Sequence, residues 1–237
     1  LNTYTLDDRK TVTKPVFLLE KILSMAYSAD GQRMVFSGVR EGHTDLYQYY
    51  VIGNRQEQLT DDLFDDLDPR FVDDGKGIIF SSDRTDDTLR MEKDVTYHLA
   101  TKDIFIFDLE TRSPILQRMS RTPGYNETQP AQYDSSSYTY LSDKGGLNNR
   151  WLVTYDSAVS GIDTTVHYRY FTSEARVTDL KRGIIEQEVN MQRGRYSQLM
   201  YVDGAYRFMF GTTTDGRTVQ GEDAAHPGPA KRDDVTG

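Results

Sequence analysis

The sequence predicts an all-β protein in which one small antiparallel sheet is repeated along the chain. Three observations lead to this prediction. Sixteen of the 237 residues are Tyr and ten are Phe, and aromatic residues favour strands. Short apolar stretches are separated by Asp-Gly and other turn-forming residues, as in β-hairpins. Two long stretches of the chain also match each other at a constant spacing, which is the mark of a repeat architecture.

The repeat is clearest between "MAYSADGQRMVFSGVREG", which begins at Met25, and "PRFVDDGKGIIFSSDRTD", which begins at Pro69. The two stretches align at a constant offset of 44 residues. Each has an aromatic residue, an Asp-Gly pair, an apolar pair and an arginine at matching places. These are Tyr27 and Phe71, Asp30-Gly31 and Asp74-Gly75, Val35-Phe36 and Ile79-Phe80, and Arg40 and Arg84. We expect a tight primed turn at each Asp-Gly pair, because Gly and Asp tolerate positive φ angles.

Each unit continues into two further strands. "TDLYQYYV" and "RQEQLTDD" follow the first pair, and "KDIFIFDL" and "SPILQRMS" follow the second. Asp45 matches Asp103 at an offset of 58, so about 14 residues are inserted into the second unit. Weaker copies follow in "ETQPAQYDSSSYTYLSDKGG" and in "YSQLMYVDGAYRFMFG".

Four short strands per unit of this length are typical of a β-propeller blade. We expect about three and a half to four four-stranded blades, forming part of a larger, six- to eight-bladed propeller. The predicted organisation is the end of a preceding blade at 1–21, a blade at 22–62, a blade at 63–120 with an insertion at 85–102, a blade at 121–172, a further blade at 173–211, and a linker-like tail at 212–237.

The two best units resemble the TolB-type β-propeller repeat. The resemblance rests on Ser28-Ala29-Asp30-Gly31, Ser37-Gly38-Val39-Arg40, Asp45-Leu46-Tyr47, Leu59-Thr60 and Asp66-Leu67-Asp68-Pro69, with Asp74-Gly75, Ser82-Asp83-Arg84 and Asp103-Ile104-Phe105 in the second unit. It implies a protein of the Gram-negative bacterial envelope, periplasmic or associated with the outer membrane. Propellers of this type act as docking platforms, and they also occur as the non-catalytic propeller of prolyl-oligopeptidase-like and tricorn-like peptidases.

The acidic charge is concentrated in one segment. The formal net charge of the chain is −9, which disfavours nucleic acid and anionic membranes as partners. Residues 61–87 hold ten acidic and three basic side chains. One interpretation is a channel mouth that binds calcium or a basic partner segment, since calcium prefers carboxylate oxygens; the other is a solvated connector between blades. The candidate ligands are Asp61, Asp62, Asp65, Asp66 and Asp68.

Two further sets of residues are singled out. The insertion at 85–102 is either a binding loop, with Leu89, Arg90, Tyr97 and His98 as its contact residues, or a neutral surface excursion. Within the repeat, we expect charged side chains to pair inside each blade and Asp-Gly pairs to make the turns. These structural residues are Asp30, Gly31, Arg40, Asp45, Asp74, Gly75, Arg84 and Asp103.

No catalytic pattern is recognisable in the sequence. The chain has no cysteine and four scattered histidines, and it contains neither His-Glu-x-x-His nor Gly-x-Ser-x-Gly. It also lacks an apolar run long enough for a transmembrane helix. We therefore expect a non-enzymatic scaffold without a cofactor, calcium aside, that binds a protein partner or other parts of an envelope assembly. The alternatives are the gating propeller of an exported peptidase and a carbohydrate-binding propeller that uses the Tyr-rich surface and Trp151.

Overall fold

The computed structural model describes residues 1–89, 101–162 and 166–213, and these residues form an all-β protein. Seventeen strands make five antiparallel sheets, and these ranges contain no α-helix. The N-terminal hairpin consists of β1 (Asn2–Thr5) and β2 (Lys10–Thr13). The first sheet contains β3 (Lys21–Tyr27), β4 (Arg33–Arg40), β5 (His43–Tyr50) and β6 (Arg55–Gln58). The second contains β7 (Asp66–Val72), β8 (Gly77–Ser82), β9 (Asp103–Asp108) and β10 (Gln117–Arg118).

The remaining two sheets follow the same plan. The third contains β11 (Glu127–Gln132), β12 (Ser137–Ser142), β13 (Asn149–Ile162) and β14 (Val166–Arg176). The fourth contains β15 (Ile184–Asn190), β16 (Arg195–Val202) and β17 (Ala205–Thr212). In every sheet the spatial order of the strands is their order in the chain. The described part of the fourth sheet has three strands, where the repeat predicts four.

The sheets stack face to face, and neighbouring sheets bury each other's apolar faces. Three buried clusters form the interfaces. Ala26, Val35 and Leu46 of the first sheet meet Ile78, Phe80 and Phe105 of the second. Val72, Ile79 and Ile104 of the second meet Tyr138, Tyr140 and Val153 of the third. Leu141 of the third meets Ile184 and Met200 of the fourth. Stacked four-stranded meanders of this kind confirm the predicted β-propeller architecture.

The first strands of the four sheets lie at the inner end of the stack, where β7 packs against β3 and β11, and β11 packs against β15. Each of the four strands has a shift in its pairing register. Asp68 and Gln129 lie at two of these β-bulges, with φ angles of 53° and 52°. Because a bulge re-aims the side chains next to it, these irregularities shape the inner surface of the propeller.

The Asp-Gly pairs make different turns, and the prediction of a tight primed turn is wrong for two of them. Asp203 and Gly204 form such a turn, with φ angles of 51° and 79° between the paired residues Val202 and Ala205. At the second sheet a 3₁₀ turn, Asp73–Gly75, takes the place of a two-residue turn. At the first sheet the loop after Tyr27 is wider, and the Ser28 backbone N–H donates to the carbonyl of Arg33.

The two outer ends of the stack differ in how they are covered. The N-terminal segment lies on the free face of the first sheet, where Leu1, Val16 and Leu19 pack against Met34, Phe36, Tyr47 and Tyr49. The free face of the fourth sheet is exposed and aromatic, since Tyr206, Phe208 and Phe210 are 69%, 70% and 79% exposed. Among the described residues no helix has the length and apolar character needed to span a membrane.

Candidate functional site

The bulged inner strands surround an axial cavity of about 350 Å³. All four sheets contribute to its wall, so the cavity exists only because the sheets converge. Its charged residues are Asp68 and Arg70 from β7 and Glu186 and Glu188 from β15, and Gln129 from β11 is among its uncharged polar residues. Leu23 and Phe208 add apolar surface from the two ends of the stack.

Asp68 is held in the wall of the axial cavity by the bulge of β7. Its carboxylate accepts a hydrogen bond from the Gln129 backbone N–H at 3.2 Å. Burial raises the pKa of the Asp68 carboxyl, and this hydrogen bond, the largest opposing effect, lowers it. Asp68 therefore presents a partly desolvated acidic group that would be stabilised in its charged form by a cation.

Gln129 joins the third and fourth sheets across the axial cavity. Its side-chain oxygen accepts from the Gln187 backbone N–H at 2.9 Å, and its side-chain nitrogen donates to the Ile185 carbonyl at 2.9 Å. The Gln187 side chain returns a hydrogen bond to the Gln129 carbonyl at 2.9 Å. This reciprocal set fixes the inner strands relative to each other, so the cavity wall is preorganised.

The charge of the axial cavity is net acidic. Three carboxylates, those of Asp68, Glu186 and Glu188, face one guanidinium, that of Arg70, which gives a formal balance of −2. Arg70 pairs with Glu188 at 2.6 Å, but the Glu188 side chain is 57% exposed, so this pair is weakly held. Asp68 and Glu186 form no salt bridge among the described residues, although the charges of Arg70 and Lys102 oppose the rise that burial causes in the pKa of Asp68.

The structure distributes the five predicted aspartates over three environments. Asp61 and Asp65 are exposed to solvent. Asp62 and Asp66 are buried between the first and second sheets, where both bind Arg84. Asp68 alone lies in the axial cavity. The acidic segment is therefore not one continuous binding surface.

Arg84 is the centre of a buried ionic network. Its guanidinium donates to Asp62 at 3.0 Å and to Asp66 at 2.6 Å, and all three side chains are fully buried. The guanidinium also lies over the rings of Phe64, Phe80 and Phe105, at 5.5 to 5.7 Å from their centroids. Cation–π contacts and two charge-assisted hydrogen bonds together compensate its burial.

Asp45 completes this network from the first sheet. It accepts from the Gln58 side chain at 3.2 Å and from the Asp62 backbone N–H at 3.4 Å. Burial, followed by the charge of Asp66, raises the pKa of Asp45 to about 7. Burial also raises the pKa of Asp66 to about 6, although Arg84 opposes the rise. One guanidinium thus faces three carboxyl groups, and the raised pKa values of Asp45 and Asp66 reduce the negative charge of the cluster near neutral pH.

The carboxylates of this buried cluster are also the candidate ligands for a metal ion. Carboxylate oxygens of Asp45, Asp62 and Asp66 lie within 4.8 Å of one another, the one such group found in the described ranges. Arg84 already binds two of the three carboxylates. A calcium ion would have to displace this buried guanidinium and find further oxygen ligands. The arrangement fits an ionic lock between sheets better than a calcium site.

Arg40 occupies the same repeat position as Arg84 and has a different environment. Its Nε lies 3.6 Å from Glu41, and the Arg40 side chain is 40% exposed. Residues 44 positions before Asp62 and Asp66 are Leu18 and Ile22. The first sheet therefore lacks counterparts of the carboxylates that bind Arg84. Arg40 and Arg84 occupy the same repeat position but do not have the same role.

The interface between the second and third sheets carries a modified version of the network. Asp103, the counterpart of Asp45, pairs with Arg118 and accepts from the Thr122 backbone N–H. Glu127 is fully buried and hydrogen-bonds the Thr122 hydroxyl. Burial raises the pKa of Glu127 to about 8. Sequence reasoning missed Glu127, although it stands at the repeat position of Asp66, three residues before Pro130 as Asp66 is three residues before Pro69.

The predicted insertion is described only at its ends. Thr88 forms an isolated bridge with Ile115, and the Leu89 backbone N–H donates to the Pro114 carbonyl at 2.8 Å. Leu89 packs against the core between the first and second sheets, so its side chain is structural. Arg90, Tyr97 and His98 lie outside the described residues, and so does the predicted tail from residue 214 onwards.

Trp151 does not offer a free aromatic platform. Its ring is half-buried against the interface of the second and third sheets, and Lys144 lies 4.8 Å from its centroid. The carbohydrate-binding alternative therefore cannot rest on this residue.

Comparison with solved structures shows which proteins share this fold. TolB from Acinetobacter baumannii superposes with a TM-score of 0.56 and 17% identity, over 83% of this chain and 42% of that one. A putative TolB from Agrobacterium tumefaciens gives 0.56 and 16%, over 81% and 62%. A putative dipeptidyl aminopeptidase IV from Bacteroides ovatus gives 0.53 and 11%, over 91% and 39%.

These comparisons establish the fold and nothing finer. The protein has a TolB-like β-propeller fold, as the sequence repeat predicted. The chain spans less than two thirds of each of these structures. No protein-family model matches the sequence, and no curated protein matches it at a significant level.

Proposed function

We propose that this chain is a non-catalytic propeller scaffold that docks a basic segment of a partner protein in its axial cavity. The observation that carries the proposal is the cavity itself: about 350 Å³, preorganised by bulged strands and lined by three carboxylates against one guanidinium. A Lys or Arg side chain entering the cavity would pair with Asp68 and Glu186, neither of which forms a salt bridge with Arg70, although the charge of Arg70 acts on Asp68.

The buried ionisable groups support a scaffold role over a catalytic one. Asp62, Asp66 and Arg84 bind one another inside an interface between sheets, where a substrate could not reach them without separating the sheets. Groups arranged in this way stabilise a fold; a catalytic acid or base needs access to a substrate.

We further propose that the protein works in the bacterial envelope, periplasmic or bound at the outer membrane, within a larger protein assembly. Support comes from the TolB-type repeat in the sequence and from the TolB-like fold. The partner is a protein and not a nucleic acid, because the net charge of −9 repels polyanions.

Fluorescence polarisation with short labelled peptides tests the docking proposal. Lys- and Arg-rich peptides should bind, acidic peptides of the same length should not, and added salt should weaken binding. Asp68→Asn combined with Glu186→Gln should weaken binding by about tenfold or more, roughly 1.4 kcal/mol or more.

Asp61→Asn combined with Asp65→Asn is the matched control, because it removes the same charge from exposed positions outside the cavity wall. If the control pair weakens binding as much as the cavity pair does, the attraction is a property of overall charge and the axial site is wrong.

A second candidate is the substrate-gating propeller of an exported peptidase. It is favoured by the similarity to a structure described as a putative dipeptidyl aminopeptidase IV, at a TM-score of 0.53. Labelling the parent protein with a fluorophosphonate probe of serine hydrolases distinguishes the candidates. Labelling of a hydrolase domain joined to this propeller would support gating, and absence of labelling in the full-length protein would contradict it.

A further inference from the structure

The segment between the N-terminal hairpin and the first sheet forms an arch over the outer strands of that sheet. The arch is tied at both ends: the Lys14 side chain donates to the Val51 carbonyl at 2.8 Å, and the Glu20 backbone N–H donates to the Val39 carbonyl at 2.9 Å. Between these points Phe17 and Leu18 are 63% and 72% exposed. The arch therefore stands away from the sheet in its middle.

A pocket of about 200 Å³ lies between the arch and the sheet. Pro15, Val16, Phe17 and Leu18 line the arch side. The sheet side is polar and aromatic, and it consists of Arg40, Tyr47, Tyr49, Asn54, Gln56 and Gln58. At roughly 30 Å³ for each water in the liquid, this volume equals about seven waters, which is the scale of one sugar ring.

The Tyr47 hydroxyl makes this pocket a candidate binding site. Tyr47 is 2% exposed, and its buried hydroxyl has no hydrogen-bond partner among the described residues. An unpaired buried polar group destabilises the folded protein. In contrast, the neighbouring Tyr49 hydroxyl is paired with the side chain of Asn54. A ligand that hydrogen-bonds Tyr47 would recover this cost.

The electrostatics of the pocket favour a neutral ligand. Arg40 is the one charged residue in the lining, and Glu41 at 3.6 Å offsets it. Asp45 lies behind Tyr47, and burial, followed by the charge of Asp45, raises the pKa of the tyrosine to about 12. Tyr47 is consequently a hydrogen-bond donor at all physiological pH values. Neither an anion nor a cation would be attracted strongly.

We propose that this pocket binds one neutral hexopyranose unit of a glycan. The Gln56 amide, the Gln58 side-chain oxygen, the Tyr47 hydroxyl and the Arg40 guanidinium supply directional partners for sugar hydroxyl groups. The exposed Phe17 ring at the rim offers an apolar face for the C–H side of the pyranose. This site is separate from the axial cavity and does not depend on the docking of a protein segment there.

Saturation-transfer NMR and calorimetry on the full chain test the proposal, with methyl glycosides of neutral hexoses and N-acetylhexosamines as probes. At least one should bind, with a Kd in the millimolar range expected for a single small ring. Tyr47→Phe removes only the hydroxyl and should weaken binding about fivefold, the equivalent of roughly 1 kcal/mol for one hydrogen bond. Phe17→Ala changes an exposed side chain and should also weaken binding while the protein stays folded.

Tyr138→Phe is the matched control. Tyr138 is equally a buried tyrosine, but its hydroxyl bonds Asp73 at 2.9 Å in another interface. This variant should bind sugar like the unmodified protein. The proposal is overturned if no saccharide binds, if both pocket variants bind unchanged, or if indole binds the pocket and saccharides do not. Tyr47→Phe should bind basic peptides as tightly as the unmodified protein does, so the sugar site and the axial docking site are tested independently.

Discussion

Replacing Arg84 with methionine should be among the most destabilising single changes in the chain. The substitution keeps apolar contact with Phe80 and Phe105 but leaves Asp62 and Asp66 buried without a cation. Removing one partner of a buried ion pair typically costs about 3–5 kcal/mol. With a urea m-value of about 2 kcal/mol/M, the midpoint of equilibrium unfolding should fall by ~2 M.

Arg40→Met provides the comparison, since Arg40 stands at the same position of the repeat with its side chain 40% exposed. An exposed pair contributes about 0–1 kcal/mol, so this midpoint should move by less than ~0.5 M. Arg84→Lys should fall between the two variants, because an ammonium retains the charge but cannot bind both carboxylates as a planar fork. Equal midpoints for Arg84→Met and Arg40→Met would refute the idea of an ionic lock.

Three other outcomes are expected. The melting temperature of the unmodified protein should fall as pH rises from 5 to 8. The raised pKa values of Asp45 (about 7) and Glu127 (about 8) mean that the folded state binds more protons than the unfolded state over this range. An unchanged or rising melting temperature, measured by scanning fluorimetry, would contradict this. Glu127→Gln should raise the melting temperature at pH 8 and change it little at pH 5, and destabilisation at both pH values would show that the carboxyl is needed in charged form. Gly38→Ala should cost about 1–3 kcal/mol in urea unfolding, since the new Cβ would lie 2.8 Å from Leu19, whereas Gly183→Ala, with its nearest contact at 3.5 Å, should cost much less.

The propeller architecture was predictable because it depends on short-range patterns in the sequence. The match of Tyr27 with Phe71, and of Asp45 with Asp103, places strands and turns within a unit. These patterns depend only on the alternation of side chains along a strand and on turn chemistry. Turn type was less predictable, because Asp74-Gly75 and Asp203-Gly204 are the same dipeptide in loops of different length.

The candidate site was only partly predictable, because it forms between units. Asp68 was recognised as acidic, but its placement in the axial cavity depends on the bulge of β7 and on Gln129 from another sheet. Arg84, which follows β8, pairs with Asp62 in the connection that precedes β7. The alternation of side chains along a strand predicts which face of the sheet a residue occupies. It does not predict which residues of the neighbouring sheet that side chain contacts.

The order of strands in the sheets has a kinetic consequence. Every sheet pairs neighbouring stretches of chain, so each can assemble as soon as its last strand leaves the ribosome, without waiting for distant sequence. The first sheet can therefore form before the second sheet emerges. Arg84 is synthesised after residues 62 and 66, so it can bind their carboxylates as soon as it emerges. During synthesis from the N-terminus, Arg84 thus emerges after both of its carboxylate partners and before β9 and β10 complete the second sheet.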